Sequence, residues 1–237
     1  MLLTVMAYCP GQSSGEQSRQ DSGDSHRRTA SNGEPAKRVE DGKKMENLEE
    51  KTTPKLHVSV ENTGSTLLVE YKVKNETDVA IYLFNVIYDW DNEGTPVVVK
   101  NGLYACLRKD GVLHLAKQVL PLPRQKMVEV RRIPFTTKVD AGAEFGEKVE
   151  IPVPVKEYNQ YFWERPNSEY DDRIAESVVF TVQFIRASDA LKIIDTNIPG
   201  AHQVWHPDLF TNIQTINSKA YSVAVRVKKR LDEFEEF

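Results

Sequence analysis

The stretch "TLLVEYKVK", Thr66 to Lys74, sets Leu67, Val69, Tyr71 and Val73 on one side of the chain and Glu70, Lys72 and Lys74 on the other. A period of two with one apolar and one charged face belongs to a β-strand with one wet face, the arrangement of antiparallel sheets. Just upstream, "LHVSV" alternates Leu56, Val58 and Val60 with His57 and Ser59, which directs His57 to solvent. Near the other end, "YSVAVRVK" repeats the pattern with Tyr221, Val223, Val225 and Val227 on one face. Further strands are expected at "LYACLR", "VLHLAKQ", "KMVEVRRI", "EKVEIPVPV", "SVVFTVQFIRA" and "LKIIDT". No segment of helical period separates them. Many short strands between turn signals predict an all-β, antiparallel β-sandwich over residues 55–237, ending in a short acidic tail. A domain of about 180 residues buries roughly 70% of its unfolded surface, so it can stand without disulfides or a metal.

The segment before it has a different composition. From Gly11 to Pro54 there is no aromatic residue, and the apolar side chains are Ala30, Ala36, Val39, Met45 and Leu48. So little apolar surface does not offset the entropy of ordering, and residues 1–54 read as a short apolar start followed by a disordered tether. The start itself, "MLLTVMAYC", places an apolar run before Cys9 and a Ser/Gly/Gln-rich stalk after it. This resembles the beginning of a bacterial lipoprotein, with Cys9 as the lipidated residue. Tyr8 stands where that family carries a small residue, and no Lys or Arg precedes the apolar run. Export with a lipid anchor and a frayed cytoplasmic terminus both remain open.

Composition removes several functions. The charges nearly balance, 31 basic against 35 acidic, and no basic patch alternates with stacking aromatics, so nothing marks a nucleic-acid binder. No apolar run approaches the ~18 residues of a membrane-spanning helix, which leaves a lipid at Cys9 as the one expected membrane contact. Cys9 and Cys106 give neither a disulfide framework nor a metal-ligand spacing, and nothing calls for a cofactor.

"YDWDNEG", Tyr88 to Gly94, places Asp89, Asp91 and Glu93 on alternate positions before a glycine, as the first half of a calcium loop does. Counting from Asp89, position 12 is Lys100, a cation where the loop needs a bidentate Glu. The flanks, "VAIYLFNVIYDW" and "TPVVVK", are β-branched and aromatic where helices are required. The expectation is a polar turn between two strands.

The stretch "VEYKVKNETDVAIYLFNVIYDWDNEG", followed by "VDAGAEFGEKVEIPVP", resembles bacterial immunoglobulin-like sandwich proteins. These carry a strand, an Asn-x-Thr turn, a second apolar strand and a later Gly-acidic turn. More distantly it is similar to the bacterial intracellular proteinase inhibitor family, through the Tyr88-Asp89 pair after the second strand. Here "TPVVV" follows where that family carries a Trp. The first resemblance implies an immunoglobulin-like sandwich, and the second an inhibitory role as an alternative.

Three groups are candidates for chemistry. Cys106 and His114 flank "RKDGV". Asp110-Gly111 favours a two-residue hairpin loop, which pairs Cys106 with Leu115 and puts His114 on the opposite face; a three-residue loop would pair the two directly. The former register is expected, with a buried structural cysteine. "HQVWHPD" offers His202, His206 and Asp208 as zinc ligands for a metal-dependent hydrolase. Pro199, Gly200 and Pro207 argue against a helix there, and in an extended chain the two histidines lie about 13 Å apart. A surface loop with Trp205 anchored in the core is expected instead. Asn75-Glu76-Thr77 matches a glycosylation acceptor, though a polar turn explains it as well.

"FWERPNSEYDD" gathers Phe162, Trp163, Arg165 and Tyr170 in a loop, and these residue types are enriched at binding hot spots. The expected function is a non-catalytic interaction module that binds a protein or polymer partner through this sandwich-end loop.

Overall fold

The computed structural model describes residues 53–124, 126–162, 167–231 and 236–237. The expectations placed on Cys9, on the tether up to residue 52, and on Trp163 and Arg165 lie outside the described residues. The described residues form an all-β, sandwich-like fold whose single helix is one turn long, α1 (Leu209–Asn212). Among them no helix is long and apolar enough to cross a membrane.

The opening stretch is a strand as expected. β1 (Lys55–Asn62), β2 (Thr66–Lys74) and β9 (Glu144–Pro152) form an antiparallel sheet in the order β1-β2-β9. Leu67, Val69, Tyr71 and Val73 are fully buried, and Val69 sits between Val60 and Val149 in a cross-strand row. His57 is exposed. The β1–β2 hairpin closes at Gly64, whose φ of 93° a side chain would oppose, while Asn62 Oδ1 accepts from its N–H at 2.9 Å.

A larger sheet faces it. Its order is β13 (Lys192–Asp195), β14 (His202–Trp205), β8 (Phe135–Val139), β3 (Ile81–Val86), β12 (Ser177–Arg186), β7 (Val112–Lys117) and β6 (Tyr104–Leu107), with β15 (Gln214–Asn217) also paired to β12. β12 and β7 run parallel, a pairing the alternation upstream did not signal. Their residues explain it: "IYLFNV", "YACL" and much of "SVVFTVQFIR" are buried on both faces, as strands covered from two sides must be. A third sheet joins β10 (Val155–Lys156) in parallel and β11 (Tyr170–Ala175) in antiparallel to β16 (Val225–Arg230).

The main core draws Tyr71, Leu83, Leu115, Val149, Phe180 and Val227 from all three sheets. Two smaller clusters cover the outer face of the large sheet. One packs Phe84 and Ile185 under Val204 and Leu209. The other packs Tyr104 and Ala116 under Ile87, Leu120, Tyr161 and Phe162.

Two expectations are corrected, and one open reading is resolved. "KMVEVRRI" is not a strand but part of an irregular link between β7 and β8. Pro121, Pro123 and Pro134 lack the N–H a ladder needs, and its backbone bonds to side chains instead: Arg132 N donates to Tyr161 Oη at 3.2 Å, and Gln160 Nε2 donates to Arg132 O at 2.9 Å. Trp205 is half-exposed while its neighbour Val204 goes inward, because the parity of β14 is set by Val204 opposite Ile193. Of the two readings of Asn75-Glu76-Thr77, the polar turn is present, with Asn75 fully buried. Its Nδ2 donates to Val79 O and Val139 O, both at 2.9 Å, and its Oδ1 accepts from Thr77 N and Thr77 Oγ1.

Candidate functional site: an aromatic cleft at the sandwich end

The expected turn at "YDWDNEG" is present and carries more than a turn. β4 (Tyr88–Trp90) pairs with β5 (Pro96–Val98), and Asp91 closes the loop by accepting from Glu93 N at 2.9 Å and Thr95 N at 2.8 Å. Gly94 takes the left-handed position at φ 76°. The hairpin leaves the large sheet after an irregularity between Leu83 and Val86. It is held down at Gly102, where a β-carbon would come within 2.8 Å of Val99 O and 2.9 Å of Ile87 Cβ. At its base Tyr88 stacks on Phe135, with ring centres 4.2 Å apart and planes inclined by 8°. Trp90 meets Tyr88 edge-on at 5.5 Å and keeps 49% of its surface in solvent.

Trp90 and Arg132 stand between two open cavities and line both. The first, about 590 Å³, is walled by Tyr88, Tyr161, Lys126 and Arg131. The second, about 580 Å³, is walled by Tyr158, Phe162, Tyr170 and Arg230. Arg132 Nη1 lies 3.3 Å from Asp89 Oδ1, which holds the guanidinium at the divide. Gln160 ties this wall to the sheet, because its Oε1 accepts from Tyr104 Oη at 2.7 Å. Met127 and Val130 are both strongly exposed on the rim of the first cavity.

The carboxylate in the second cavity is committed to the fold. Glu157 accepts from Leu107 N at 2.7 Å and from Arg230 N at 2.8 Å, so it completes the edges of β6 and β16 where no strand does. Burial raises its pKa above the usual carboxylate range, against the pull of those two N–H groups. Burial likewise raises the Tyr88 and Tyr158 phenols, which stay protonated near neutrality and able to donate. Stacking faces, neutral phenols and guanidinium groups suit recognition of a ligand surface.

Of the residues expected to bind, Phe162 and Tyr170 reach this place together. Phe162 is buried, with Lys126 Nζ 4.0 Å above its ring, so it forms floor rather than surface. Tyr170 is partly exposed and has Lys156 Nζ 5.4 Å from its ring centre. Trp90, Arg132 and Tyr158 were missed. The signal for Trp90 was an aromatic beside a tight turn; for Arg132 it was the proline-bracketed link, unusually long for a connection inside a compact domain.

Cys106 and His114 are brought together, contrary to the expected register. The loop has three residues: Arg108 N donates to Val112 O at 2.9 Å, and Gly111 at φ 81° supplies the left-handed position. Cys106 therefore pairs with His114. Burial pushes the thiol up to about 12, which leaves about one thiolate in 10⁵ at neutral pH. The imidazole is also occupied, with Nε2 2.7 Å from Thr181 Oγ1 and Nδ1 3.0 Å from Phe237 O. The pair is part of the packing.

His202 and His206 do not converge. His202 Nδ1 lies 3.1 Å from Asp195 Oδ1, and His206 Nδ1 accepts from Asp208 N at 3.0 Å. Among the described residues no group of three or more His, Cys, Asp or Glu side chains is placed to hold a metal ion. No family model matches the chain, and neither a curated protein nor a solved structure does.

Proposed function

We propose that this protein is a non-catalytic interaction module that binds an extended protein segment or polymer in the cleft at one end of its sandwich. The observation that carries the reading is the position of Trp90 and Arg132, shared by two cavities in a row. Each cavity has the volume of an ordinary ligand pocket, and both are open and share Trp90 and Arg132 in their walls, which suits a chain laid across the divide. Trp90 offers a flat face to stack on, and Arg132 offers a cation beside it that Asp89 orients. Tyr158 and Tyr170 continue the aromatic lining. The finer reading is an immunoglobulin-like module presented from a lipid at Cys9, which rests on the resemblances in the sequence.

The experiment is to probe arrays of immobilised peptides and polysaccharides with the full chain and with Trp90→Ala. A ligand class that retains the wild type and loses the variant supports the reading. Retention that is the same for both proteins removes the cleft from the account.

A further inference from the structure

The two borders of the three-stranded sheet are finished differently. Along β1, Tyr221 Oη donates to Val58 O, and Asn62 Nδ2 donates to Ala224 O at 2.7 Å. Along β9 the hydrogen bonds that bracket the strand, Asn75 N to Ala143 O and Val153 N to Ser65 O, fix which residues face β2. They are Phe145, Glu147, Val149 and Ile151, since alternate residues bond to alternate sides. The N–H groups of Gly146, Lys148 and Glu150 point the other way, and no acceptor meets them among the described residues. Beside the C-terminal half of this border lies an apolar groove of about 660 Å³, lined by Ile151 and Val155 on one side and Leu103 and Ala105 on the other.

A regular nine-residue edge with unmet donors is a template for another strand. The side chains along it indicate which strand fits. When two copies of β9 pair antiparallel about a two-fold axis, residues of like parity stand opposite one another on the same face. Glu144, Lys148 and Glu150 are exposed on one face. In the register centred on Val149, Lys148 of each copy opposes Glu150 of the other. In the register centred on Gly146, Lys148 of each copy opposes Glu144 of the other. The registers centred on Lys148, Glu147 or Glu150 place like charges opposite instead, which is destabilising.

We infer that β9 is a self-pairing edge: a second copy of this chain adds to it, joining two three-stranded sheets into one of six, with Lys148 opposite a glutamate of the other copy. Charge complementarity selects the occupant, because both favourable registers depend on the same lysine.

Sedimentation of the full chain over a wide range of concentration tests this. A two-chain species is expected, and Lys148→Glu is expected to raise its dissociation constant about tenfold or more, because two attractive cross-strand pairs become repulsive. Mixing Lys148→Glu with Glu150→Lys, or with Glu144→Lys, is expected to restore a mixed dimer with one of the two and so identify the register. That rescue also shows that both variants are folded. A single chain at every concentration, a dimer indifferent to Lys148→Glu, or rescue by neither partner would each overturn the inference.

Discussion

Lys117 Nζ and Glu147 Oε1 meet 2.6 Å apart, tying β7 of the large sheet to β9 of the small one at the side of the main core. The lysine side chain is 3% exposed and the glutamate 29%. Tyr71 Oη donates to the other glutamate oxygen at 2.6 Å, and Lys117 also donates to Asn85 O at 3.1 Å. Burial lowers the Lys117 pKa, and Glu147 works against that shift. The pair is unequal. Losing the glutamate strands a desolvated cation, whereas losing the lysine leaves a carboxylate that still reaches water and the Tyr71 hydroxyl.

Glu147→Gln is therefore expected to cost roughly 3 kcal/mol of folding stability, and Lys117→Met clearly less, because an unpaired buried charge is the larger penalty. Denaturant unfolding of both variants at neutral pH measures the order. Equal losses would show that the two charges are equally hydrated.

His114 makes stability depend on pH. Burial lowers its pKa below 6.5, so between 6.5 and the folded value the unfolded chain binds the proton and the folded chain does not. Stability is then lost as pH falls through that window. Glu157 acts in the opposite sense, since its raised pKa gives stability that is present below 4.5 and lost as pH rises through the folded value. His114→Gln should flatten the loss just below pH 6.5 in thermal melts. An unchanged slope would place the acid sensitivity elsewhere.

Asn75 holds the turn after β2 with four hydrogen bonds inside the protein. Asn75→Ala would remove all four of these bonds and leave Thr77 N without its acceptor, while Val79 O keeps the Thr77 hydroxyl, at a cost of roughly 3 kcal/mol. Asn75→Asp keeps the acceptor but removes the donor, and should destabilise as well. Secretion through a glycosylating host is expected to leave Asn75 unmodified, which mass spectrometry of the tryptic peptide would check.

Strands were legible where one face is wet. In "TLLVEYKVK" each side chain reports its own environment, and Leu67 to Val73 fell as the alternation required. "IYLFNV" and "SVVFTVQFIR" read as strands but not as partners of anything, because a run buried on both faces carries no sign of which neighbour covers which side. The parallel pairing of β12 with β7 was invisible for that reason. Cys106 and His114 turned on one loop residue, a distinction smaller than the turn chemistry of Asp110-Gly111 resolves. Composition found Phe162 and Tyr170 in the cleft. It could not find Trp90 and Arg132, which are 42 positions apart and meet only because the β4–β5 hairpin and the link before β8 fold against the same end of the sheet.

The central claim rests on Trp90, and affinity measured against stability tests it most directly. With a ligand retained on the arrays, calorimetric titration of the wild type, Trp90→Ala and Arg132→Ala should show binding weakened by about 30-fold or more in each variant, the ~2 kcal/mol typical of an anchor residue. Trp90 is half-exposed on a hairpin, so Trp90→Ala should leave the thermal midpoint close to that of the wild type. Unchanged affinity in both variants, with the fold intact, would contradict the assignment of the cleft as the binding site.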